Sequence, residues 1–359
     1  MRLNFLEVCL SPDLGGLELF ARDTFEFLKT KTSCKIAVAQ GTKLENSVAP
    51  EDTFVLKRSK FFPLKPALKL AKYIDANSID VVHFHWTKDI VTLVLAKLLS
   101  RKKPKLFQSR HMNMTRFKDD FYHRWLYKNI DTIHAVTYQL QEQLERFIPQ
   151  DVRPEIVTLH LGVDELKIDA KKLQTLQQEY ALEDKFIVGI VGRIEEAKGQ
   201  YLLIEALTQL KDLAIKVVIV GAAMDANYLQ KLQERVRQLS LEGRVVFTGF
   251  TPDVNEHIGL CDVCVLATKK ETFGLVVIES MVNRVPVIAT NQGGPLEIIS
   301  DGEDGVFFDR SVDDLAEKIR LLYRERELCK KMGESAYKKV KEQFNKELQM
   351  QKLYEVLCS

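Results

Sequence analysis

Long apolar runs are missing from this chain of 359 residues. No stretch approaches the roughly 20 apolar residues that a membrane-spanning helix requires. The amino-terminal MRLNFLEVCLSPDLGG carries only a short apolar segment, which reads as a first β-strand rather than the core of a signal peptide. Low-complexity tracts are absent too, so no disordered tail is expected. The six cysteines, Cys9, Cys34, Cys261, Cys264, Cys329 and Cys358, show no regular spacing. That excludes a disulfide framework and suits reduced thiols in a cytoplasmic protein. Cys261 and Cys264 form a solitary C-x-x-C with no partner pair, so they read as buried thiols. No G-x-G-x-x-G follows a strand, which counts against a dinucleotide oxidoreductase.

A large net charge is also lacking, since 52 Lys and Arg balance 50 Asp and Glu to give +2. The balance conceals an asymmetry: residues 1–160 hold 25 basic and 18 acidic side chains, giving +7, and the remainder carries −5. No nucleic-acid-reading module surrounds this basic excess, so nucleic acid is not an expected partner.

What the chain does have is a long alternation of β-rich apolar runs and amphipathic helical stretches, the pattern of parallel sheets covered by helices. Its length exceeds what one core usually fills, so two domains are expected. Strands are predicted at 3–10, 34–39, 81–84, 105–109, 132–135 and 155–159. A polar helical stretch, KKLQTLQQEYALEDK, then lies in a linker region near 161–185. The series restarts with FIVGIVG and continues through IKVVIVG, RVVFTGF, VCVLAT, VPVIAT and GVFFD, a second doubly wound sheet. From about Asp313 onward the chain reads as helix only. Open α/β sheets bind ligands beyond the carboxyl ends of their strands, so two Rossmann-like domains are expected to face a central cleft.

Chemistry-bearing residues fall at such strand ends. FIVGIVGRIEEAKGQ runs from strand through the loop Arg193 to Gly199 into a helix, putting Arg193 and Lys198 where a phosphate is favoured. In ATKKETFGLVVIESMV, Glu271 lies in a loop after a strand and Glu279 follows eight residues later. Gly274 between them permits close backbone approach. The helix starting at Leu275 is apolar nearly all round and is predicted to be buried, so Glu279 needs hydrogen-bond donors, a role that ribose hydroxyls would fill. Glu271 is placed to accept from sugar hydroxyls. Strand one ends in SPDLGGLELF, where Gly15 and Gly16 open a helix and let backbone approach an acceptor or a phosphate. His111 follows the strand KLFQS, and His83 and His85 stand at the end of DVVHF, placed to line an acceptor pocket. A metal site among these histidines is not expected, because the spacing offers no third ligand.

With Glu-x7-Glu in ETFGLVVIE, GRIEEAKG, the amino-terminal GG, SRH after an internal strand and LGVD before the linker, the chain resembles glycosyltransferase family 4, retaining enzymes of GT-B fold. The resemblance extends over most of the sequence. It implies that Arg193 and Lys198 bind a donor diphosphate, that Glu271 contacts the sugar and Glu279 the ribose, and that Phe273, Gly274 and Leu275 turn backbone amides to the sugar and phosphates. It gives His111 a contact with the donor sugar near the reacting carbon. Domains are accordingly expected at 1–165, on the acceptor side, and at 166–339, on the nucleotide-sugar side, with a final helix from about 340 to 359 returning to the first.

The implied activity is retaining, metal-independent transfer of a hexosyl-type sugar from a nucleotide-diphosphate donor to a glycan or lipid-linked acceptor, in lipopolysaccharide or envelope polysaccharide synthesis. No cofactor is expected. The rivals are a nucleotide-sugar epimerase and a non-catalytic sugar-nucleotide-binding subunit. In TRFKDDFYHRWLYKN, Arg116, Lys118, Arg124 and Lys128 are interleaved with Phe117, Phe121, Tyr122, Trp125 and Tyr127. Such a helix either rests on an anionic membrane or packs its aromatics inward. RSKFFPLKPALKLAKY adds to the first of these possibilities.

Overall fold

Strands buried on both faces of a parallel sheet need near-continuous apolar runs, and the runs above build two such sheets. The structure, a computed structural model, describes residues 3–58, 63–165 and 167–359. It divides into two compact units, Met1–His160 with Leu348–Ser359, and Leu161–Glu347.

In the first unit β1 (Asn4–Cys9), β2 (Ser33–Ala39), β3 (Thr53–Leu56), β4 (Val81–Phe84), β5 (Lys105–Arg110), β6 (Thr132–Ala135) and β7 (Glu155–Thr158) form one sheet. Their order is β3-β2-β1-β4-β5-β6-β7, with every neighbouring pair parallel. The helices are α1 (Gly16–Lys31), α2 (Leu64–Ala76), α3 (Ile90–Leu99), α4 (Phe121–Lys128) and α5 (Tyr138–Phe147). Strand β3 is one the sequence reading passed over. It has four residues, three of them half-buried, and sits at the sheet edge between charged neighbours, so its apolar run is only Phe54, Val55 and Leu56.

The second unit contains α6 (Ala170–Glu179), β8 (Phe186–Val191), α7 (Gln200–Ala206), β9 (Ile215–Val220), α8 (Ala226–Gln238), β10 (Val245–Gly249), α9 (Val254–Gly259), β11 (Val263–Leu266), α10 (Leu275–Val282), β12 (Val287–Thr290) and β13 (Gly305–Phe308). Helices α11 (Val312–Arg324) and α12 (Arg326–Gln343) follow. The sheet order is β10-β9-β8-β11-β12-β13, again parallel. The polar helix α6 belongs to this unit instead of bridging the two.

The last helix, α13 (Lys346–Cys358), joins the first unit's core from Leu348 onward. Met350, Leu353 and Leu357 lie in one cluster with Phe5, Phe25, Ile36 and Phe107. Its apolar face is covered by β1, β2 and α1, which explains why an isolated-looking terminal helix is stable.

Both sheet orders reverse direction once. In the first unit the reversal lies between β1 and β4, and in the second between β8 and β11. Loops leaving the carboxyl ends of two such strands diverge to opposite sides and leave a crevice, the usual ligand position in this architecture.

Candidate active site

The β8/β11 reversal makes neighbours of two loops distant in sequence. The loop after β8 holds Arg193 and Lys198; the loop after β11 holds Glu271. Gly199 adopts φ +75°, and a Cβ there would lie 2.6 Å from the Ala267 carbonyl oxygen, so only glycine allows the loops this close. Lys269 N–H donates to the Ala197 carbonyl at 3.3 Å, tying one loop to the other. The outcome is a Lys198 Nζ to Glu271 Oε2 contact of 3.0 Å between side chains 26% and 20% exposed, open enough to meet a ligand. Arg193 is 61% exposed and pairs with Glu195 at 3.2 Å. Water screens such an exposed pair, so its guanidinium is easily recruited elsewhere. The Arg193 carbonyl is held by the buried Gln200 side chain, which donates to it at 2.9 Å.

Glu271 is fixed by a feature the sequence reading did not single out. Gly293 has φ +74°, and a Cβ on it would fall 2.2 Å from the Glu271 carbonyl oxygen; one on Gly294 would fall 2.4 Å from Phe273 Cα and O. Gly294 N–H donates to the Glu271 carbonyl at 3.1 Å. The N-Q-G-G-P turn after β12 is thus pressed against the Glu271–Phe273 backbone. A Gly-Gly pair at the end of a predicted strand was the available signal, and its meaning depended on which loop it would touch.

Gly274, at φ +99°, caps α10. The helix is not buried all round as expected. Val277, Ile278, Ser280, Met281 and Val282 face the interior, while Leu275, Val276, Glu279 and Asn283 form a half-buried stripe. The helix is a cover of the sheet rather than a central core element, which leaves one side near solvent. Glu279 stands on that stripe, and no donor among the described residues bonds its carboxylate. Burial pushes its pKa up to about 7. Phe273 is buried, its ring 6.2 Å from that of Phe344, so its side chain serves the core.

At the β1/β4 reversal of the first unit the histidines gather. His83 is fully buried: its Nδ1 meets Glu7 Oε2 at 2.9 Å and its Nε2 meets Ser109 Oγ at 2.8 Å. His85, also buried, contacts Glu7 Oε1 through Nε2 and His111 Nε2 through Nδ1, the latter at 3.3 Å. The expectation that His83 and His85 line an acceptor pocket is therefore corrected. Both rings are interior, and both nitrogens of each are engaged. His111 is half-buried beside Phe20, their ring centroids 5.0 Å apart. Desolvation pushes the pKa of His83, His85 and His111 down to about 3.

The absence of a third metal-ligand candidate is also corrected. Glu7, His83 and His85 bring donor atoms within 4.8 Å of one another. Glu7 lies 76 residues from His83, so spacing within one segment gave no sign of it. The hydrogen bonds among these groups account for all their donor atoms. Gly16 opens α1, and the Gly15 amide, predicted to approach an acceptor, already donates to the buried Glu18 carboxylate at 2.8 Å.

The basic aromatic segment divides. Leu126 and Tyr127 are core, whereas Phe117, Phe121 and Tyr122 are 64%, 88% and 51% exposed. Arg124 bridges Asp119 and Asp151, so part of the local positive charge is neutralised. In RSKFFPLKPALKLAKY, Ser59–Phe62 lie outside the described residues, and α2 buries Ala67, Leu70, Ala71 and Ile74 in the ordinary amphipathic manner. Among the described residues no helix is long and apolar enough to cross a membrane.

Two parallel α/β units, the second with cations and carboxylates at its strand-order reversal, define the GT-B class of glycosyltransferases. Residues 173–339 match the family model "Glycosyl transferases group 1" and residues 33–165 match "Glycosyltransferase Family 4". EpsD of Bacillus subtilis (strain 168) is 30% identical over 312 residues, covering 79% of this chain and 78% of that one. The capsular polysaccharide biosynthesis glycosyltransferase CapM of Staphylococcus aureus is 24% identical over 345 residues, 91% of this chain and 90% of that one. The solved structure of Anabaena Alr3699/HepE in complex with UDP and glucose superposes with a TM-score of 0.85 at 20% identity, covering 99% of this chain and 100% of that one. The chain belongs to the group 1, family 4 glycosyltransferases.

Proposed function

We propose that the protein transfers a hexosyl-type sugar from a nucleotide-diphosphate donor to a glycan or lipid-linked acceptor, with retention at the anomeric carbon and without a metal ion. The observation that carries this reading is the Lys198–Glu271 pair at 3.0 Å in the loops at the β8/β11 reversal. Glu279, on α10 with no donor to its carboxylate among the described residues, adds an acceptor for ribose hydroxyls.

In this reading the diphosphate displaces Glu271 from Lys198 and draws Arg193 from Glu195. The released Glu271 then accepts from sugar hydroxyls. The bond from the anomeric carbon to the phosphate oxygen breaks while the acceptor oxygen bonds that carbon from the same face. The acceptor proton passes to the departing phosphate, so no protein nucleophile is needed. Arg193 and Lys198 offset the charge that develops, and one such fixed donor contributes about 3–4 kcal/mol to barrier lowering. In the first unit the resemblance assigns the sugar contact to His111.

An envelope polysaccharide or lipopolysaccharide is the acceptor class we favour, supported by CapM's assignment to capsular polysaccharide biosynthesis. A UDP-linked donor has the support of the neighbour captured with UDP and glucose. Peripheral contact with an anionic membrane through Phe117, Phe121 and Tyr122, flanked by Arg116 and Lys118, would bring a lipid-linked acceptor within reach. The absence of sedimentation with anionic vesicles at low salt would remove that part.

A panel of nucleotide sugars, followed by thermal shift and then by release of nucleoside diphosphate, tests the donor. Retention is read from the anomeric configuration of the product by NMR, and metal independence from activity in excess chelator. Inversion, or loss of activity on chelation, would contradict the corresponding element.

A further inference from the structure

Around the β1/β4 reversal, one backbone carbonyl determines the position of every proton in a chain of buried groups. His134 Nε2 lies 2.7 Å from the Leu159 carbonyl oxygen, which can only accept, so Nε2 carries the ring proton. In a neutral ring Nδ1 is then a lone pair, and Ser109 Oγ, 2.7 Å away, must donate to it. Ser109 has one proton. Toward His83 Nε2, at 2.8 Å, it therefore accepts, and His83 carries its proton on Nε2. That leaves His83 Nδ1 bare, 2.9 Å from Glu7 Oε2, where only a protonated carboxyl can donate. Its other oxygen accepts from His85 Nε2–H. His85 Nδ1 is then bare too, and His111 Nε2, at 3.3 Å, must be the N–H. His111 is left with an unprotonated Nδ1 that has no hydrogen-bond partner among the described residues.

Any other assignment with neutral rings leaves two lone pairs or two protons facing each other in the interior, which is costly. Neutral rings are what the surroundings dictate: burial pushes His134 down to about 4, holds His83 and His85 near 3, and moves Glu7 up from its ordinary value.

We propose that Glu7 is a positioning residue which, as a buried carboxylic acid acting through His85, fixes the tautomer of His111 so that its Nδ1 accepts a hydrogen bond from a hydroxyl of the bound sugar. The sugar contact rests on the transferase reading above; the proton chain does not. Phe20 packs edge-on against both His85 and His111, with ring centroids 5.6 and 5.0 Å away.

Long-range proton–nitrogen correlation on histidine-labelled full-length protein reads the tautomer directly. Wild-type His111 is expected to show a bare Nδ1 and a protonated Nε2. Glu7→Gln supplies one donor and one acceptor in place of the acid and should keep that pattern with kcat within about twofold. Glu7→Leu should scramble the His111 pattern and cut kcat at least tenfold at unchanged acceptor KM. Should Glu7→Leu fail to fold, the wild-type and Glu7→Gln spectra still decide. A protonated Nδ1 in wild-type His111, or loss of the pattern in Glu7→Gln, would overturn the proposal. The expected tautomer without binding of any nucleotide sugar would instead defeat the transferase reading and leave the proton chain standing.

Discussion

Glu279 offers a separation between a structural and a ligand-binding carboxylate. In the free protein burial moves its pKa from 4.5 to about 7. Because the folded value lies above the unfolded one, the group does not affect stability below about pH 4.5. It then destabilises the fold increasingly up to about pH 7 and by a constant amount above. The gap corresponds to about 3 kcal/mol, reduced to about 1–3 kcal/mol by the water that reaches a half-buried side chain. Glu279→Gln should therefore raise Tm at pH 8 and leave it unchanged at pH 4.5. Ribose hydroxyls donating to the carboxylate would favour its ionised form. Nucleotide binding at pH 7 should consequently release about half a proton, and affinity should fall up to tenfold per pH unit as the pH drops below 7. Titration calorimetry in buffers of different ionisation enthalpy counts that proton, and Glu279→Gln should abolish its release and weaken binding. Destabilisation of the Gln variant at pH 8 would show that the carboxylate is a structural acceptor, and binding without proton release would refute the ribose assignment.

Gly293→Ala should leave the first unit's stability unaltered but lower turnover at least tenfold, because the added Cβ would sit 2.2 Å from the Glu271 carbonyl at φ +74° and must push that loop aside. Steady-state kinetics beside a melting curve checks this, and unchanged kcat/KM would count against the Gly293–Glu271 coupling. Leu353→Ala in α13 removes a side chain only 2% exposed and should cost about 2–5 kcal/mol, seen by denaturant unfolding of the full chain. A cost under 0.5 kcal/mol would mean that the final helix is not integral to the first core.

The sheet strands are legible because parallel pairing buries both faces and leaves unbroken runs such as FIVGIVG and IKVVIVG, whereas the half-buried edge strand β3 offers only the short run Phe54–Leu56 between charged residues. Among the site residues, those in loops at strand ends could be placed, since strand order alone brings the loops of β8 and β11 together. What depended on three-dimensional neighbours could not. The sequence does not reveal that Glu7 on β1 reaches two histidines 76 and 78 residues on, nor that His83 points inward where a surface role was expected. Nor does it reveal that Gly293 and Gly294 abut Glu271. The α10 helix was misjudged for a related reason. Apolarity all round marks burial only when other elements cover every side, and the side bearing Glu279 has no complete cover.

The central claim is that Lys198 and Arg193 stabilise a departing nucleoside diphosphate. Single-turnover transfer from the donor that binds most tightly, compared among wild type, Lys198→Ala and Arg193→Ala, tests it most directly. Each variant is expected to keep its fold and lose about 100-fold to 1000-fold in rate, as for removal of one fixed donor to a developing anion. Transfer within threefold of wild type in either folded variant would contradict it.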